Sequence, residues 1–188
     1  MRVNLHAVVP YSLANGPGAR FVVWFQGCTL GCAGCFNPET HPAVPGLVLP
    51  VEELLDRLEE AAAGVEGLTV TGGEPFQQPR ALLALLRSVR ARTALSVVIF
   101  SGYRLDEIRR RPLGDETLRY MDVLVDGRYE AGRHHGMGLR GSDNQHVHLL
   151  TTRYCLDDIE GVPHGEVLID QQGRVTVSGV DPLRLQPL

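Results

Sequence analysis

The chain contains no lysine, and all eighteen of its basic residues are arginine. That absence excludes a Schiff-base lysine, and with it lysine-anchored pyridoxal chemistry. It also excludes the P-loop lysine that nucleotide hydrolases place against phosphates. Net charge is small as well: −4, with a pI near 6.0, leaves no basic footprint for a nucleic-acid backbone. No apolar run reaches the ~18 residues of a membrane span, and MRVNLHAVVPYS has no long apolar stretch behind a cationic start. The expectation is a cytoplasmic protein that binds neither membrane nor nucleic acid. Cysteine is scarce too: there are four, three of them at positions 28, 32 and 35. In a reducing compartment, thiols clustered in this way read as ligands or catalysts more readily than as disulfides.

What is present centres on RFVVWFQGCTLGCAGCFNPET, residues 20–40. The β-branched and aromatic run Phe21 to Phe25 predicts a strand feeding straight into the loop that carries Cys28, Cys32 and Cys35. Three thiolates are one short of the four that a closed structural zinc site or a simple ferredoxin cluster takes. A metal centre lacking one protein ligand can take a substrate there, so the incomplete set points to chemistry more than to architecture.

CxxxCxxC at the end of a first strand resembles the motif of the radical S-adenosylmethionine superfamily, in which three cysteines hold a [4Fe-4S] cluster. Asn15, Gly16, Pro17, Gly18 and Arg20 before the strand, and Phe36, Asn37 and Pro38 after Cys35, are similar to the glycyl-radical-enzyme activases, especially those serving anaerobic ribonucleotide reductase. About forty residues later the short strand Leu68 to Thr71 runs into Gly72, Gly73, Glu74 and Pro75. Bare glycine backbone can approach a polar ligand, and a carboxylate can accept from an ammonium group. Glycines and glutamate at that place resemble the superfamily element that grips the methionyl amino group of S-adenosylmethionine. Arg140 to Gln145 resembles the RGSSNQ element of the activases with Asp143 in place of a serine; its expected role is to shape the mouth or receive the partner, or simply to form a turn before the strand His146 to Leu150.

The rest of the chain alternates strand and helix. Residues 51–63 place Val51, Leu54, Leu55 and Leu58 on one helical face, and residues 79–93 repeat the pattern through Leu82, Leu85, Leu86 and Val89. Leu95 to Phe100 and Met121 to Val125 read as buried strands, the first ending in Ser101, Gly102 and Tyr103, the second in Asp126 and Gly127. Leu105 to Leu118 reads as helical pieces broken at Pro112 and Gly114. Residues 128–139 read as a glycine-rich mobile loop in which the adjacent His134 and His135 make a poor metal pair. Beyond residue 150 the alternation of Val167, Ile169, Val175 and Val177 around Gln171, Gln172 and Gly173 predicts a β-hairpin. Cys155, remote from the other cysteines, reads as a buried structural residue.

With 188 residues and 44% hydrophobic content one core is expected. The alternation predicts an α/β fold with a parallel sheet and its site on one rim. The resemblance implies an open, partial β/α barrel of about six units over residues 1–150, with residues 151–188 a hairpin extension packed on it. It implies Cys28, Cys32 and Cys35 as cluster ligands, and Gly34, Phe36, Asn37, Gly72, Gly73, Glu74, Ser101 and Asp126 around the cofactor. The implied function is reductive cleavage of S-adenosylmethionine to a 5′-deoxyadenosyl radical that takes hydrogen from a glycine of a glycyl-radical enzyme, with flavodoxin or ferredoxin as the outside electron donor. A radical enzyme acting on a peptide or small molecule, and a non-catalytic iron-sulfur or zinc protein, are the alternatives.

Overall fold

The computed structural model describes residues 1–169 and 172–181. In chain order, β1 (Arg2–Ser12) is followed by β2 (Arg20–Phe25), β3 (Leu47–Pro50), α1 (Val51–Ala61), β4 (Gly67–Gly72), α2 (Pro79–Arg92) and β5 (Ser96–Ser101). Then come α3 (Leu105–Arg110), α4 (Gly114–Leu118), β6 (Val123–Asp126), β7 (His134–Met137), β8 (Arg140–Ser142), β9 (His146–Leu149), α5 (Leu156–Glu160), β10 (Gly165–Ile169) and β11 (Val175–Gly179).

Seven strands form one sheet in the order β3-β1-β2-β4-β5-β6-β9. β2, β4, β5 and β6 pair in parallel. β1 and β3 at one side and β9 at the other run antiparallel to their neighbours, so the sheet is mixed where a wholly parallel one was expected. The connections explain this. Parallel neighbours need a crossover, which α1, α2 and the α3–α4 pair supply, whereas residues 13–19 make a tight return and residues 127–145 contain no α-helix.

Side-chain alternation along the strands divides the protein into two layers. Val3, Leu5, Phe21, Val23, Phe25, Leu68, Val70, Val97, Ile99 and Leu124 point to one face, where they meet Leu54, Leu55 and Leu58 of α1, Leu82, Leu85, Leu86 and Val89 of α2, and Ile108 of α3. Truncating one of these leucines to alanine costs roughly 2–5 kcal/mol. On the opposite face Val98, Val123 and Val125 pack with Leu139, Ile159 and Val162, which bring the β7–β8 ribbon and α5 against the sheet.

Several elements depart from expectation. β1 is a long strand despite Pro10, which sits where its register with β2 is irregular and β3 no longer flanks it. β3 occupies the end of a proline-containing linker. Residues 128–139 are not an open loop: they include β7, paired with β8. Cys155 is exposed at the start of α5, where its amide donates to Asp158, so it is not a core residue. The expected hairpin is present, with Val167 opposite Val177 and Ile169 opposite Val175; Gln171 of its turn lies outside the described residues.

The turn from Asn15 to Gly18 packs around Arg20. This guanidinium is fully buried and donates to Thr69 Oγ1, Ser96 Oγ, Tyr154 Oη and the carbonyls of Pro17 and Leu68. Burial pulls its pKa down, with Tyr154 opposing.

Candidate functional site

The cysteine loop leaves the carboxyl end of β2. Its base is pinned by backbone bonds: Gly27 and Cys28 donate to the carbonyls of Thr40 and His41 at 2.7 and 3.0 Å. Gly27, Gly31 and Gly34 have φ values of 100, 66 and 74°, left-handed conformations that let a short loop reverse three times and present its thiols. Gln77 braces the loop from outside, accepting from the Thr29 amide at 3.2 Å and donating to Thr29 Oγ1 at 2.8 Å and to Tyr103 Oη at 3.0 Å. Tyr103 is itself flanked by the guanidinium groups of Arg111, 3.9 Å from the ring centroid, and Arg128.

The carboxyl end of β4 is fastened directly to this loop. Gly73 donates to Phe25 O at 2.8 Å and Glu74 to Gly27 O at 3.0 Å. A Cβ at Gly72 would lie 2.5 Å from the Phe25 nitrogen, and one at Gly73 would lie 2.4 Å from Gly27 O. The two glycines therefore let one strand end press against the next, a reason nearer to hand than approach to a ligand.

The Glu74 carboxylate is not presented as a free acceptor. It is 1% exposed, and it accepts from the Phe76 amide and Ser101 Oγ through Oε1 and from the Gly102 amide through Oε2. Burial outweighs these bonds and lifts its pKa to about 7. Burial also pushes the Cys28 and Cys35 thiols up. Thiolate ligation to iron would thus release protons.

These parts line a cavity of about 330 Å³ on the face of the sheet opposite α1 and α2. Cys28, Cys32, Cys35, Phe36, Asn37, Gly72, Gly73, Glu74 and Ser101 all contribute to it. Phe36 stacks on Tyr129 at 4.4 Å between centroids, with His134 edge-on. Gly141 and Gln145 also line it, and the Gln145 side chain accepts from the Gly141 and Ser142 amides while donating to Gly127 O.

Gly34 and Asp126 stand apart from the other expected site residues. Gly34 shapes the turn between Cys32 and Cys35, where a Cβ would approach Ala131 at 3.0 Å. Asp126 faces the helix side: it accepts from the Leu105 amide at the start of α3 and has His146 and His148 nearby on β9. Other contributors were not expected. His6, Ala7 and Val9 of β1 line the cavity, as does Trp24 on β2, and so do Thr176 to Val180 of the C-terminal hairpin. Alternation along the Phe21 to Phe25 run could have placed Trp24 on the face away from the helices; nothing local points to the hairpin.

The donor set fits a cluster with three protein ligands. Three thiols share one cavity, and Cys155 is not among its lining residues. Among the described residues no set of three or more His, Cys, Asp or Glu side chains converges on a single metal ion. A four-iron cluster makes no such demand, because each thiolate binds a separate iron.

The 4Fe-4S single cluster domain family matches residues 14–148. The anaerobic ribonucleoside-triphosphate reductase-activating protein of Enterobacteria phage T4 is 34% identical over 151 residues, 77% of this chain and 93% of its own. The corresponding protein of Pasteurella multocida is 33% identical over 159 residues, 79% of this chain and 99% of its own. Among solved structures, QueE from Escherichia coli aligns over 54% of this chain and 53% of its own, at 18% identity and a TM-score of 0.46. By the family match and the two sequence relatives, the chain belongs to the 4Fe-4S single cluster domain family and to the anaerobic ribonucleoside-triphosphate reductase-activating proteins.

Proposed function

We propose that this chain is an iron-sulfur radical S-adenosylmethionine enzyme that activates an anaerobic ribonucleotide reductase by taking a hydrogen atom from one of its glycines. The observation that carries this reading is the single cavity shared by three thiols and the glycine-lined end of β4. When bound and reduced, the cluster supplies the electron that cleaves S-adenosylmethionine to methionine and a 5′-deoxyadenosyl radical.

In this reading Cys28, Cys32 and Cys35 hold the cluster. Phe36, Asn37, Gly72, Gly73, Glu74 and Ser101 surround the cofactor. Glu74 shapes the β4 loop through its three hydrogen bonds and puts a titratable carboxyl beside the site, whose charged form an arriving ammonium group would favour. Trp24 and Phe100 supply an apolar wall that keeps water from the reacting atoms. Gly34 acts through the turn it permits. Asp126 acts only indirectly, by holding the start of α3.

The finer architecture belongs to the same proposal. Residues 1–150 are assigned to an open, partial barrel, its four parallel strands supporting the reading, and residues 151–188 to an extension whose described part, residues 151–169 and 172–181, packs on that domain. The electron donor is an outside flavodoxin or ferredoxin, and the setting is the cytoplasm; among the described residues no helix is long and apolar enough to cross a membrane. Anaerobic reconstitution with iron and sulfide, reduction, and mixing with the reductase and S-adenosylmethionine tests the proposal. A glycine-centred doublet in the EPR spectrum is expected, and its absence with fully loaded enzyme and intact reductase would overturn it.

A further inference from the structure

The matched family region ends at residue 148, yet five consecutive hairpin residues, Thr176 to Val180, line the same cavity as the cysteines. The two contributions come from opposite ends of the parallel strands. The cysteine loop follows the carboxyl end of β2, whereas the hairpin is fastened to the turn that precedes its amino end. Glu166 on β10 accepts from the Leu13 amide at 2.8 Å and from the Ser12 hydroxyl. On β11, Ser178 Oγ accepts from Asn15 Nδ2 at 2.6 Å, and the same amide reaches Ser12 Oγ at 2.7 Å. Ser178 and Asn15 are both buried, so this contact is shielded from competing water.

We propose that the β10–β11 hairpin is a specificity-determining wall of the site. Resting on the function proposed above, it closes the cavity at the end away from the cysteines. The reacting group must then fit between hairpin and cysteine loop. A cavity of about 330 Å³ lies at the small end of the range for ligand sites. With a nucleoside cofactor inside, the hairpin bounds the side on which the reacting group must enter. The wall also keeps solvent from a radical that would otherwise be quenched, so it couples cofactor cleavage to hydrogen transfer.

Trp24 is the only tryptophan in the chain and lines this cavity, which gives a readout that needs neither cluster nor partner. The test compares the natural chain with the double variant Glu166→Ala/Ser178→Ala, which removes the latch on both strands. Amide hydrogen exchange over residues 165–179 reports release of the hairpin, and acrylamide quenching of Trp24 fluorescence reports opening of the cavity. Both should rise, quenching by at least about two-fold, and Glu166→Gln, which keeps an acceptor for Leu13, should stay near the natural value. In loaded enzyme with its reductase, the double variant should cleave several-fold more S-adenosylmethionine per glycyl radical formed. A freed hairpin with unchanged Trp24 quenching would show that it is no wall, and unchanged exchange would show that these contacts do not hold it; either result rejects the proposal. The fluorescence arm stands apart from the radical chemistry, so a response there with no glycyl radical would reject the proposed substrate and not the wall.

Discussion

The Glu74 carboxylate receives the Gly102 amide at 2.8 Å, joining the carboxyl ends of β4 and β5 through one buried side chain. Because the Glu74 amide in turn donates to Gly27 O, the cysteine loop and two strand ends form one hydrogen-bonded unit.

Glu74→Ala strands the Phe76 and Gly102 amides in a buried setting, each worth about 1–3 kcal/mol. Unfolding of the cluster-free protein in urea should show a loss within that range or above it. A change near zero would mean that water replaces the carboxylate.

The pH dependence follows from burial. Glu74 has its pKa raised from 4.5 to about 7, so between these values the folded protein retains a proton that the unfolded chain has released. Its contribution to stability is complete below pH 4.5 and is lost as pH rises toward 7. The stability difference between the natural chain and Glu74→Gln should change across that window and stay flat outside it. Urea titrations at a series of pH values read this out.

Gly73→Val places a side chain against Gly27 O, where a Cβ already comes within 2.4 Å. Cofactor binding and cluster retention should therefore fail together, since the cysteine loop must move to make room. Iron content after reconstitution decides the matter: normal iron with lost cofactor binding would separate the two.

Cys28→Ser, Cys32→Ser and Cys35→Ser should each lose the iron chromophore on anaerobic reconstitution, while Cys155→Ser retains it. Cys155 sits exposed on α5, outside the cavity.

Arg20→Lys keeps the charge but replaces a five-donor fork with a compact ammonium. Six acceptors surround the natural side chain. Leaving buried groups unpaired should cost roughly 3–5 kcal/mol, visible as a lowered denaturation midpoint without change in cluster spectra.

Much of the site was legible because its signals are local. The cysteine spacing, the apolar run before it and the two glycines at the end of β4 each occupy a few consecutive residues. The valine alternation around Gly173 likewise revealed the hairpin. What escaped depends on distant partners. Ser101 and Gly102, which hold the Glu74 carboxylate inward, lie 27 and 28 positions away. Strand direction escaped too: His146 to Leu149 carries no mark of running antiparallel, although the lack of a helix in residues 127–145 was a usable sign. β1 was hidden by Pro10 and by polar positions on its exposed side.

The antiparallel strand β9 closes the ladder that β6 begins, and this restricts how the fold can be enlarged. A further β/α repeat spliced after β6 would have to evict β9 from its pairing with Val123 to Asp126. New sequence is accommodated more cheaply downstream of β9, where it need only lie across the face opposite α1 and α2. An engineer wishing to retarget such a protein would accordingly exchange the β10–β11 hairpin and leave untouched the sheet order and the packing of Tyr154, Ile159 and Val162.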